Sequence, residues 1–168
     1  GRIIYNDFRE GQYCSVILNI NTRKERIINK PIYAVTRDGR VALTLDFSRL
    51  HRLRKGYGYS NLPDTTANEK LPDSTCIWKI DLETGEVKPL LKYTDFTNYH
   101  TREEMKNGEH KVNHIMINPS GTRFMVLHKW FVGQRKYCRL ATCNMDGTDF
   151  YAVNDEYGAS HCDWKNDN

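Results

Sequence analysis

The stretch that decides the fold is Val112–Trp130, "VNHIMINPSGTRFMVLHKW". It contains two apolar runs rich in residues that favour strands, separated by the turn-forming letters "NPSG". Gly121 suits the positive φ angle that a tight turn between antiparallel strands requires. The stretch therefore predicts a β-hairpin.

This hairpin occurs twice in the chain. "IYAVTRDGRVALTL" at Ile32–Leu45 matches "HIMINPSGTRFMVL" at His114–Leu127, with Gly39 and Gly121 82 residues apart. A second kind of hairpin alternates with it, as "VILNINTRKERII", "IWKIDLETGEVKPLL" and "RLATCNMDGTDFYAV", in which equivalent places are taken by Ile20, Leu82 and Met145. Each pair of hairpins predicts a four-stranded meander, and the meander repeats.

Tandem four-stranded meanders are typical of the all-β class and, within it, of the β-propeller. The alternative is a single antiparallel sandwich with coincidental turns. We predict about three to four blades, divided as the end of one blade at 1–30, a second blade at 31–93 with an inserted loop at 50–73, a third blade at 111–154, and the first strand of the next at 157–168. Helix patterns are weak, and the best candidate is Thr101–Asn107, inside a second insertion at Thr94–His110.

Composition narrows the classes of partner. The 168 residues include 25 Lys and Arg against 21 Asp and Glu, scattered apart from a short basic cluster at His51–Lys55. This pattern does not predict a nucleic-acid partner. No apolar run approaches the roughly 18 residues of a membrane helix, so no membrane span is predicted. The five cysteines form no CxxC pair, which favours free thiols and a cytoplasmic location.

The first insertion has the composition of a binding loop. "LDFSRLHRLRKGYGY" interleaves arginines, whose guanidinium groups bind carboxylates through two hydrogen bonds, with tyrosines, whose rings stack on sugars. We predict that it binds an acidic glycan at one mouth of the propeller channel, with His128 and Lys129 at the end of a strand facing the same mouth. The predicted binding residues are Arg49, Arg54, Tyr57, Tyr59 and His128. The alternative is a solvated loop with packed tyrosines.

Several strings carry a resemblance to a known family. They are "YND", "IYAVTRDGRVALTLDFSRLHRLRKGYGY", "IWKIDLETGE", "VNHIMINPSGTRFMVLHKW", "CRLATCNMDGT" and "SHCDW". Together they resemble a bacterial propeller group similar to oligogalacturonate lyase and TolB-like proteins, over nearly all 168 residues. The members closest to this pattern are often named as glycosyl transferases, from their setting among polysaccharide genes.

The resemblance implies a fold and a chemistry. It implies a propeller of seven blades that cleaves short uronate chains by β-elimination and holds a divalent metal, typically manganese, with histidines and a glutamine. "VNHI" and "SHCDW" match inner strands that carry a histidine, so the implied metal ligands are His114 and His161. From the residues alone, each ring could instead be hydrogen-bonded to a neighbouring backbone group or hydroxyl.

The function expected from these features is a carbohydrate-related propeller. It would bind acidic oligosaccharide, with metal-assisted lyase chemistry of the oligogalacturonate type in the full-length protein. Two alternatives stay open: a non-catalytic scaffold in polysaccharide biosynthesis, and a glycosyl transferase, although the chain lacks the α/β alternation of a nucleotide-sugar domain. Self-association or further blades are expected to complete the propeller.

Overall fold

The computed structural model describes residues 1–155 and 158–167. The fold is all-β, with 44% of the chain in strands and 10% in helices. Every strand pair in the described part of the chain is antiparallel, as the meander pattern predicts. Of the strand predicted at 157–168, residues 157 and 168 lie outside the described residues, and the segment between them contains no strand.

The strands form three sheets in chain order. Sheet one contains β1 (Arg2–Arg9), β2 (Gln12–Asn19) and β3 (Glu25–Ile28). Sheet two contains β4 (Ala34–Val35), β5 (Val41–Leu45), β6 (Thr75–Asp81) and β7 (Val87–Lys92). Sheet three contains β8 (Glu109–Ile117), β9 (Arg123–Val132), β10 (Arg135–Asn144) and β11 (Tyr151–Asn154). Strands that follow one another along the chain are hydrogen-bonded neighbours, so each sheet is a meander.

Hydrogen bonds confirm the internal repeat. Gly39 and Gly121 both have positive φ, at 70° and 74°. Three backbone N–H groups donate across the sheets at equivalent positions, over distances of 3.1, 2.7 and 3.0 Å, in the pairs Ile20 to Gly1, Leu82 to Arg40 and Met145 to Thr122. The same local bond in all three sheets shows that the repeat is structural.

Two short helices were not expected from the sequence, and the helix prediction was incomplete. They are α1 (Phe47–Leu53) and α2 (Tyr93–Asn98); a 3-10 turn at Glu103–Met105 falls within the predicted candidate. Helix α1 begins where the Asp46 carboxylate accepts the N–H of Arg49 at 2.9 Å, a side-chain cap for its first turn. Two turns are too short for a helical apolar period to stand out from the strand pattern.

The sheets are joined by two apolar layers. The smaller layer, between sheets one and two, is built on the buried residues Ile17, Ile28, Ala42, Ile80 and Leu82. The larger layer joins sheets two and three and also takes in apolar residues of both helices, among them Leu50 and Phe96. Stacking in chain order means that each sheet buries a face against the next sheet along the chain.

Two further findings concern the helices and the cysteines. No helix among the described residues is long and apolar enough to cross a membrane. The five cysteines are all free thiols.

Candidate functional site

A basic cavity lies where three parts of the chain meet. It has a volume of about 840 Å³ and is enclosed by sheet three, the loop that follows α1, and Gly158–His161. No Asp or Glu lies among its described lining residues, whereas seven cationic side chains do: Arg52, Arg54, Lys55, Arg102, Lys111, Lys129 and Lys136. A concave surface lined by charges of one sign concentrates ligands of the opposite sign, so this cavity favours anions.

The centre of the basic cavity is a pair of lysines on neighbouring strands. Lys111 of β8 and Lys129 of β9 are directly opposite in the antiparallel register, so their side chains share one face of sheet three. Like charges in this position are destabilising. Arg54 approaches them from the loop after α1, and Lys136 from the start of β10.

Lys111 is the most constrained of these cations. Only 2% of its surface is exposed, and within the described part of the chain it has no ion pair or hydrogen bond; its one ring contact is Phe131, whose centroid is 5.6 Å from Nζ. Burial lowers the pKa of Lys111, and the charges of Lys129, Arg54 and Lys136 lower it further, to about 8. A largely buried lysine at a cavity, without an ion-pair partner, favours the neutral amine or an anion beside the charged one.

The two histidines predicted as metal ligands line the same cavity. Both have left-handed backbones, with φ of 53° at His114 and 54° at His161. The N–H of His114 donates to the Tyr33 hydroxyl at 3.1 Å, while its Nδ1 atom is buried with no partner among the described residues. Burial lowers the pKa of His114, and Lys129, His161 and Lys111 lower it further. The matching of His114 with His161 as equivalent repeat positions stays a prediction.

A divalent metal does not fit the residues present. Imidazole nitrogen is a suitable donor for manganese or zinc, but the described residues contain no group of three or more His, Cys, Asp or Glu side chains that could hold a metal. The lysines of the lining and Arg54 would repel a dication, because no ion pair among the described residues offsets their charge.

Part of the predicted binding loop reaches the cavity. Arg54 and Tyr57 line it, and the Arg54 guanidinium lies over the Tyr57 ring at 4.9 Å. This stacking leaves the guanidinium edge free for an anion. The binding roles of both residues stay predictions.

Arg49, from the same loop prediction, lies in the core instead. Its side chain is fully buried, and the guanidinium donates to four backbone carbonyls at 2.7–3.0 Å, those of Thr66, Glu69, Lys70 and His110. The Asp64 carboxylate pairs with it at 3.5 Å. This position makes Arg49 a structural tie rather than a cavity residue.

Tyr59 and His128 also lie outside the cavity lining. The ring of Tyr59 stacks on Phe47 with centroids 4.4 Å apart, and its hydroxyl accepts the side-chain N–H of Asn6 at 2.9 Å. His128 is fully buried and hydrogen-bonded to His110 at 2.8 Å. Both side chains are held by packing partners in the interior of the fold.

Reasoning from the sequence placed Lys129 beside His128 at one mouth of the channel but did not identify Lys111. Lys111 and Lys129 each follow a histidine, and the repeated His-Lys dipeptide in two pairing strands is the signal that could have joined them. A lone lysine in a strand carries little signal, because lysines are usually solvent-facing. Phe131 and Tyr137, which give the cavity its aromatic walls, carried no separate signal.

Comparison with known proteins supports the fold alone. No protein-family profile and no curated protein sequence matches the chain. Among solved structures, the tricorn protease is similar at a TM-score of 0.54 with 13% sequence identity, over 94% of this chain and 12% of the tricorn protease chain. The fold and the cavity together define an all-β, propeller-like protein with an anion-attracting site.

Proposed function

We propose that this chain is a section of a β-propeller that binds an acidic oligosaccharide in the basic cavity. Further blades or a second copy would close the ring, and seven blades is the number that the family resemblance favours. Lyase chemistry belongs to the full-length protein in this proposal. The observation that carries the proposal is a lining with seven cations and no carboxylate among the described residues. Two of the seven, Arg52 and Arg102, are paired with carboxylates outside the lining, which leaves five cations for a ligand.

The aromatic walls favour a sugar over a simple inorganic anion. Tyr57, Phe131 and Tyr137 line the cavity beside the cations. Aromatic rings pack against the apolar faces of sugar rings, and a tyrosine hydroxyl can hydrogen-bond to sugar hydroxyls. Alternating carboxylates and ring faces along a uronate chain match this combination of charge and aromatic surface.

The proposal predicts selective, charge-dependent binding. A galacturonate trimer should bind more tightly than a neutral galactose trimer, and raised salt should weaken only the former. Because a hydrogen bond to a charged group contributes about 1.5–3 kcal/mol, Lys129→Met should weaken trimer binding by about tenfold or more. Isothermal titration calorimetry measures both effects.

Lys24→Met is the matched control. Lys24 is exposed in the turn between β2 and β3, so its loss changes the net charge equally but leaves the cavity intact. Equal affinity for the two trimers would contradict the proposal. Tighter binding of a nucleotide sugar would favour the transferase alternative, and tighter binding of a short single-stranded oligonucleotide would favour a nucleic-acid partner.

A further inference from the structure

The amine of Lys111 has chemistry that sugar binding does not require. Its alkyl chain is buried in sheet three, and its side chain reaches a cavity large enough for a small molecule. An amine becomes a nucleophile when it is desolvated and lies beside other cations, because both conditions favour its neutral form. Lys111 meets both conditions.

The groups that face Lys111 come from every element around it. Lys129 lies opposite on β9, Arg54 approaches from the loop after α1, and Lys136 and the Cys138 thiol lie on β10. The Cys138 thiol raises the pKa of Lys111. Burial and the three cations lower it by more, so the pKa falls from 10.5 to about 8. At pH 8 about half of such an amine is neutral, against less than roughly 1% of an ordinary lysine.

The same neighbours would hold a negative charge close to the nucleophile. Among the described residues, Lys129, Lys136 and Lys111 have no ion-pair partner, and the contact of the Arg54 guanidinium is with a ring. A carboxylate bound by these cations would place an adjacent carbon within reach of Nζ. The ligand that fits both features carries a carboxylate and a carbonyl group.

We propose that Lys111 is a nucleophilic amine that captures a small anionic aldehyde or 2-oxo acid as an imine. The neutral Nζ attacks the carbonyl carbon, an N–C bond forms, and one amine proton moves to the oxygen to give a carbinolamine. The C–O bond then breaks, and the oxygen leaves as water with both amine protons. No oxidant or reductant is needed, and the free reducing end of an acidic sugar belongs to the same chemical class.

Reductive trapping tests the proposal on the whole chain. Glyoxylate is the probe, with sodium cyanoborohydride to fix any imine as a stable secondary amine, and peptide mass spectrometry locates the adduct. We expect modification first at Lys111, with a rate that rises as the pH is raised through about 8. Acetaldehyde, which has no charge, should label Lys111 at least about tenfold more slowly if the cations hold the carboxylate.

Two variants make the test specific. Lys111→Arg keeps the charge and removes the nucleophile, so it should abolish the fast adduct. Lys30→Arg is the matched control, because Lys30 is also partly buried with a lowered pKa but has the Asp46 carboxylate nearby rather than three cations. That variant should label as the wild type does.

The imine proposal and the sugar-binding proposal can fail independently, because labelling tests the first and trimer binding tests the second. Labelling spread over exposed lysines, or unchanged fast labelling in Lys111→Arg, overturns the imine proposal even if the galacturonate trimer binds. Should Lys111→Arg fail to fold, the adduct map and the pH profile of the wild type decide the question alone. Fast labelling of Lys111 without trimer binding would overturn the proposed function and leave this inference standing.

Discussion

At the scale of single residues, the buried histidine pair shows how one proton arrangement is selected. His110 Nε2 is 2.8 Å from the Met105 carbonyl and must donate to it, so His110 Nδ1 accepts from His128 Nε2, also at 2.8 Å. His128 Nδ1 then has no proton and no partner within the described residues. The two hydrogen bonds require a neutral His110 ring. Burial and the charges of Arg49 beside His110 and Arg139 beside His128 favour the neutral form of both rings.

This pair predicts acid-sensitive stability. Burial lowers the pKa of both His110 and His128 below 6.5, so the unfolded chain binds more protons than the folded one in mild acid. The stabilisation is therefore complete above pH 6.5 and is lost as the pH falls. Urea unfolding at pH 7.5 and 5.0 should show a larger loss in the wild type than in His128→Gln, by about 1.4 kcal/mol for each unit of pKa depression.

The substitution is chosen to preserve one contact. The glutamine amide can still donate to His110 Nδ1, so His128→Gln removes mainly the titrating ring. The control is His100→Gln, at an exposed position, which should follow the wild-type pH dependence. Parallel stability curves for the wild type and His128→Gln would show that the pair does not control acid unfolding.

At the scale of elements, a single arginine determines how the long loop after α1 packs. Arg49 projects from α1 and gathers the carbonyls of Thr66, Glu69 and Lys70, so it ties the far end of the loop to the helix. Its bond to the His110 carbonyl connects the same helix to β8. The loop is therefore long but held in place at both ends. Arg54 and Tyr57 project into the cavity from this anchored segment.

Replacing this arginine should cost stability. Arg49→Met leaves the carbonyls of Thr66, Glu69, Lys70 and His110 without this donor, while Asp64 keeps its bond from Arg52. Breaking such a buried network costs about 3–5 kcal/mol. The matched variant Arg54→Met changes an exposed residue at the end of the same helix and should cost less than about 0.5 kcal/mol. Thermal unfolding compares them, and equal melting temperatures would refute the structural role of Arg49.

A β-bulge is the second element-scale feature of the site. The register of β8 against β9 shifts between Asn113 and Met116, and His114 takes its positive φ within that shift. In a regular strand, consecutive side chains point to opposite faces. Both Asn113 and His114 line the cavity, because the bulge re-aims one of them.

At the scale of the whole molecule, the two apolar layers are unequal. Among residues 1–155 and 158–167, five buried residues form the core between sheets one and two, against sixteen in the cluster that joins sheets two and three. Because apolar burial is roughly proportional to stabilisation, sheet one is held less firmly than sheet three. Sheet one also exposes large apolar side chains on its outer face, among them Ile3 and Ile27.

The difference between the two cores predicts that sheet one unfolds locally before sheet three. Native-state hydrogen exchange should show the amides of β1–β3 opening at a lower free energy than those of β8–β10. Ile80→Ala, which removes buried methyl groups between sheets one and two, should widen this gap by about 2–5 kcal/mol. Ile27→Ala, at a residue 48% exposed on sheet one, is the control and should leave the gap nearly unchanged. Identical opening energies throughout would mean that the three sheets unfold as one unit.

The sequence by itself determined most of the strands, the turns and their repetition, although it also predicted a strand at 157–168 where residues 158–167 form none. These depend on local chemistry: alternating apolar residues, glycines at positive φ, and polar residues at the turns. The hairpin at Val112–Trp130 and its counterpart at Ile32–Leu45 could therefore be predicted from the sequence. The helix α1 was missed because its two turns depend on the Asp46 cap and on packing against the core.

Only the tertiary structure decided where charge collects. Lys111, Arg54 and His161 are distant along the chain and meet because sheet three, the loop after α1 and the segment after β11 enclose one space. The same structure placed Arg49 and His128 inside the core, although their residue types had suggested a binding role. Composition fixes the net charge, but the electrostatic potential depends on the distances between charges, and those distances are set by long-range packing.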